Sequence, residues 1–121
     1  MKKIDHINVT VPNLEKAIEF YTNVLGYKVT HKFKGNDMEF IFVSDGNVTY
    51  EIIQGDVSQA KFDHIAYVSE DIKADYNYYK NLDSNLLQGE VNYLDFLFEA
   101  GMYYFFIQGP NGESIEFCQK G

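Results

Sequence analysis

The stretch IDHINVTV at residues 4–11 decides the fold, because FDHIAYV at residues 62–68 repeats its opening 58 residues later. Both stretches alternate apolar and polar side chains, which is the pattern of a half-buried β-strand. Apolar residues at helical spacing follow the first copy over residues 14–25, and a weaker helical pattern follows the second. The chain therefore repeats a strand–helix unit.

Turn signals divide the rest of each half into strands. The stretches GND (35–37), DGN (45–47) and GPNG (109–112) are rich in the residues that form tight turns. The predicted strands lie near residues 27–34, 38–44, 47–54, 86–92, 102–108 and 113–119. The sequence thus predicts an α+β protein with one domain, residues 1–121, built from two tandem βαβββ modules at about 1–58 and 59–121.

Charge and composition exclude several classes of function. The 121 residues carry a net charge of −8 and contain no arginine, so binding to nucleic acid or to an anionic membrane is disfavoured. Cys118 is the only cysteine, so no disulfide forms within the chain. The N-terminal residues lack the apolar centre of a signal peptide, and no apolar run is long enough to span a bilayer. We expect a cytoplasmic protein.

Four residues that could bind a metal occupy matched positions in the repeat. They are His6, Glu51, His64 and Glu116. Side chains alternate between the two faces of a strand, and this alternation predicts that all four turn away from the helices, so that two imidazoles and two carboxylates could face one cavity. Such a mixed set favours a divalent ion of the Zn, Ni, Co, Mn or Fe(II) group, without distinguishing among them.

Three further features have competing interpretations. His31 has no counterpart in the repeat and lies among lysines, which favours an exposed side chain. Cys118 could be a thiol nucleophile, but a small packing residue is the favoured interpretation. Residues 92–101 are unusually apolar for a connection, which indicates either a core or dimer contact or, alternatively, a lid or pocket wall.

The order of these motifs resembles the glyoxalase/bleomycin-resistance/extradiol-dioxygenase group, the vicinal oxygen chelate superfamily. The motifs that carry the resemblance are DHI (5–7), FY (20–21), LG (25–26), DHI (63–65), GPNG (109–112) and IEF (115–117). The resemblance covers essentially the whole chain. It implies paired βαβββ modules that form open, cupped mixed sheets, usually in a homodimer, and a metal that chelates adjacent oxygens of a small-molecule substrate.

Within that group, the set His6, Glu51, His64 and Glu116 is similar to the metal ligands of glyoxalase I (lactoylglutathione lyase). This likeness implies a metal-dependent lyase or isomerase in which Glu116 or Glu51 moves a proton; epimerisation or thiol addition would use much the same site. The alternative is a binding protein of the bleomycin-resistance type that sequesters a small molecule or antibiotic without catalysis. Because the chain lacks arginine, it is expected to bind the glutathione carboxylates poorly.

Overall fold

The computed structural model describes all 121 residues, Met1–Gly121, and their elements follow the order βαβββ twice. The chain forms two compact units, one of residues His6–Asp63 and one of Met1–Asp5 with His64–Gly121. We call them the first and second units. The predicted α+β class and the two βαβββ modules are confirmed. No helix is long and apolar enough to cross a membrane.

The first unit contains four paired strands. In spatial order they are β2 (Lys28–Gly35), β3 (Met38–Ser44), β4 (Thr49–Gln54) and β1 (Ile4–Val11, from His6 onward). Strand β1 runs parallel to β4, and the other two pairings are antiparallel. Val9, Val43 and Ile52 are fully buried in the core of this unit, which also takes up the apolar side of the helix.

The helix of the first unit is shorter than its pattern predicts. Helix α1 (Leu14–Glu19) begins at Asn13, whose side-chain oxygen accepts a hydrogen bond from the Lys16 amide at 3.0 Å. A π-helical turn, Phe20–Val24, continues it. Gly26 then ends the helical region at a φ of 78°, a conformation that glycine adopts without strain.

The second unit has the corresponding arrangement. Its strands, in spatial order, are β5 (Lys61–Val68, from His64 onward), β8 (Ser114–Lys120), β7 (Met102–Gln108) and β6 (Asn92–Leu94). Strand β5 runs parallel to β8. Helix α2 (Ile72–Leu82) starts after Asp71, whose side chain accepts a hydrogen bond from the Ala74 amide at 3.1 Å. Phe105 and Phe117 stack at 5.2 Å between ring centroids and form the centre of this core.

One prediction about the second unit needs correction, and one of its open alternatives gains support. Residues 86–92 do not form a strand, because a 3-10 turn occupies Ser84–Leu86 and β6 begins only at Asn92. The apolar segment at 92–101 contributes Leu97, which is 1% exposed, to the interior, so packing explains that residue. Residues Met1–Asp5 belong to the second unit, and the Lys3 carbonyl accepts a hydrogen bond from the Val68 amide of that unit at 2.8 Å.

Candidate metal centre

Each unit carries one buried histidine–glutamate pair. In the first unit, His6 Nε2 lies 3.7 Å from Glu51 Oε1, and the two side chains are 0% and 8% exposed. In the second unit, His64 Nε2 lies 2.9 Å from Glu116 Oε1, with exposures of 9% and 5%. The four residues singled out from the repeat therefore form two equivalent pairs, one in each unit.

Strand pairing explains why each histidine meets its glutamate. Histidine and glutamate lie on the two parallel neighbours of their unit, β1 and β4 or β5 and β8. The core residue Val9 faces the helix, whereas His6 on the same strand faces the opposite side, as the alternation predicts. Both faces of β1 are thus buried, which is uncommon for a strand that carries a histidine and an asparagine.

A phenylalanine packs against each histidine ring, and sequence reasoning missed both. Phe42 is the cross-strand partner of Glu51, and its ring meets the His6 ring edge-on at 5.7 Å between centroids. Phe106 is the cross-strand partner of Glu116, and it meets the His64 ring edge-on at 4.9 Å. These rings restrict the orientation of the imidazoles and keep water from one side of each pair. The alternation on β3 and β7 could have identified them only if the strand register had been known.

The first unit also has polar residues beside its pair. Asn8 is 2% exposed, and its Nδ2 donates a hydrogen bond to Glu51 Oε1 at 2.8 Å. The Thr10 hydroxyl donates in turn to Asn8 Oδ1 at 3.1 Å. Strand alternation puts both on the same face of β1 as His6.

The donor set of the two pairs fits a divalent metal ion. Each pair offers an imidazole nitrogen and a carboxylate oxygen, which are the ligands of Zn and its neighbours in proteins. Burial makes an ionised carboxylate costly unless a cation or hydrogen bonds compensate for the lost water. Buried pairs of this composition suit a bound cation.

The remaining candidates have structural explanations. His31 is exposed, as predicted, and stacks on Phe33 at 5.3 Å between ring centroids. Cys118 is 2% exposed, and burial, together with the charges of Asp5 and Glu116, raises the pKa of its thiol. A thiol that stays protonated is a poor nucleophile, which agrees with a packing residue.

Comparison with known proteins agrees with this architecture. Residues 3–117 match the model of the Glyoxalase/Bleomycin resistance protein/Dioxygenase superfamily. The chain is 35% identical over 128 residues to the uncharacterized protein YwbC of Bacillus subtilis (strain 168), with 98% of each chain covered. It is 29% identical to the metallothiol transferase FosB of Lysinibacillus sphaericus (strain C3-41), over 97% of this chain and 82% of that protein.

A solved structure shows the same fold. Methylmalonyl-CoA epimerase from Mycobacterium tuberculosis superposes with a TM-score of 0.81 at 18% identity, covering 98% of this chain and 88% of that one. The match to the family model covers nearly the whole chain, and the relative YwbC is similar over its full length. The chain belongs to the glyoxalase/bleomycin resistance protein/dioxygenase superfamily.

Proposed function

We propose that this protein is a divalent-metal enzyme, of the lyase or isomerase type, that moves a proton within a small substrate carrying two adjacent oxygen atoms. The observation that carries the proposal is the buried His–Glu pair at the matched position of each unit. One pair supplies two ligands, which is fewer than the three or four protein ligands of ordinary zinc sites. We therefore propose all four residues as metal ligands: His6, Glu51, His64 and Glu116.

The metal would act as a Lewis acid that polarises the substrate oxygens and stabilises negative charge on them. Phe42 packs against the imidazole ring of His6, and Phe106 packs against that of His64, and these contacts hold both rings in place. A carboxylate oxygen of Glu116 or Glu51 takes a proton from the substrate carbon and returns it to the neighbouring carbon. This chemistry is of the glyoxalase I type, with a substrate other than the glutathione adduct because the chain has no arginine.

Similarity to FosB favours a second candidate, the metal-assisted addition of a thiol to a small molecule. That relative is named a metallothiol transferase and aligns over 97% of this chain. Both candidates need the metal. The binding-protein alternative, in which the chain sequesters a small molecule without catalysis, does not.

Metal analysis of protein purified without added metal tests the proposal. We expect one divalent ion per chain, removable with a chelator. Metal-loaded protein in D2O should then exchange the carbon-bound proton of small α-hydroxy carbonyl compounds and thiol adducts, as followed by NMR. Compared at equal metal occupancy, the Glu116→Gln and Glu51→Gln variants should show which carboxylate moves the proton, because only the variant that lacks it should lose about 10²-fold or more in exchange rate. Protein that binds no divalent ion would overturn the proposal in favour of the binding-protein alternative.

A further inference from the structure

Asn8 occupies a position that determines how the Glu51 carboxylate is held. The two residues are direct partners across β1 and β4, and Asn8 Nδ2 donates to Glu51 Oε1 at 2.8 Å. Behind it, the Thr10 hydroxyl donates to Asn8 Oδ1 at 3.1 Å. Asn8 is 2% exposed, so water has little access to the hydrogen bond that it donates to Glu51.

The hydrogen bonds from Thr10 to Asn8 and from Asn8 to Glu51 form a relay, and the chemistry of the three groups determines its direction. An ionised carboxylate only accepts hydrogen bonds, so the amide must turn its Nδ2 towards Glu51. Its Oδ1 then faces Thr10, whose hydroxyl must donate. Both ends of the Asn8 amide are therefore engaged, and the side chain is held in one orientation.

The second unit lacks this relay. Ala66 is the cross-strand partner of Glu116, as Asn8 is of Glu51, and Val68 stands where Thr10 stands in the repeat. Neither side chain can donate a hydrogen bond. Ala66 is fully buried, which shows that the sheet packs at this position without an amide. Packing alone therefore does not explain the buried asparagine in the first unit.

We propose that Asn8, supported by Thr10, is a positioning residue that orients the Glu51 carboxylate for metal binding. The inference rests on the proposed function, because it assumes that Glu51 is a ligand. Hydrogen bonds to the ligands of a metal tune its affinity, and their removal commonly weakens metal binding about 10- to 100-fold. The two carboxylates would then differ. The Asn8–Thr10 relay orients the Glu51 carboxylate, whereas the matching positions beside Glu116 hold Ala66 and Val68, which form no such relay.

The test measures metal binding and requires no substrate. Asn8→Leu preserves approximate volume and removes the donor, whereas Thr10→Val preserves shape and removes only the hydroxyl. Thr30→Val is the matched control, because the Thr30 hydroxyl donates to a backbone carbonyl of the same unit, that of Phe42, at 3.3 Å. For each variant we would measure the Zn²⁺ dissociation constant by chelator competition, the visible spectrum of the Co²⁺ form and the Tm of the metal-free protein.

We expect Asn8→Leu to weaken Zn²⁺ binding about 10- to 100-fold and to alter the Co²⁺ spectrum. Thr10→Val should weaken binding in the same direction by a smaller factor, and Thr30→Val should bind as the wild type does. Wild-type binding and spectrum in Asn8→Leu would overturn the inference and leave the proposed function intact. If Asn8→Leu fails to fold, Thr10→Val decides, and wild-type affinity there would overturn the inference. A wild-type protein that binds no metal would overturn both.

Discussion

Nε2 of His64 and Oε1 of Glu116 lie 2.9 Å apart in a buried position of the second unit. An imidazole nitrogen and a carboxylate oxygen are common ligand atoms of a divalent ion, and at this separation one ion could contact both, as the proposed metal site requires.

Removal of either histidine should abolish tight metal binding. We expect His6→Ala and His64→Ala to reduce the divalent metal content of the purified protein at least tenfold, because each loses an imidazole ligand. The measurement is elemental analysis after gel filtration. His31→Ala is the matched control, since His31 is an exposed histidine of the same chain, and its metal content should stay at the wild-type value. Wild-type stoichiometry in both ligand variants would show that the assignment is wrong.

The glutathione hemithioacetal of methylglyoxal should be a poor substrate. That substrate is anionic, while the chain carries a net charge of −8 and has no guanidinium group. Two of the lysines that could compensate already lie near carboxylates: Lys61 is 3.4 Å from Asp63, and Lys120 is 3.7 Å from Asp5. A steady-state assay of metal-loaded protein should give a kcat/KM below about 10⁴ M⁻¹s⁻¹, the lower end of ordinary enzyme efficiency. A higher value would support glyoxalase I activity directly.

The protein should form a homodimer. Phe20, Val24 and Leu25 expose about half or more of their surface directly after α1, and apolar surface of this kind favours association. Sedimentation velocity at micromolar concentration should show a species of twice the 14.0 kDa chain mass. A single 14 kDa species across that concentration range would contradict the prediction.

Cys118 should be dispensable for the chemistry. Its thiol is 2% exposed, so a disulfide reagent should label it slowly in the native protein and completely in denaturant. Cys118→Ala should leave the metal dissociation constant unchanged and lower the free energy of unfolding by about 1 kcal/mol, a typical effect of a small change in a core. A tenfold weaker metal affinity in this variant would instead give the thiol a place in the site.

Much of the fold could be predicted because its signals are local. The repeated DHI motif, the helical spacing after each copy and the turn-forming residues predicted two βαβββ modules, and the structure has them. The predicted strand at 86–92 was wrong: Leu86 ends a 3-10 turn, Gly89 has a φ of 95°, which is outside the strand region, and β6 begins only at Asn92. Apolar composition alone does not distinguish a short strand from a packed connection.

The candidate site, like the fold, could be predicted only in part from the sequence. Alternation along a strand is a property of the backbone, so the sequence alone could predict His6, Glu51, His64 and Glu116 as candidate ligands on strand faces that point away from the helices. The residues that oppose those glutamates depend on the register between strands far apart in the chain, and only backbone pairing in the folded molecule determines that register. Tertiary structure therefore decided that Asn8 would meet Glu51 while Ala66 would meet Glu116.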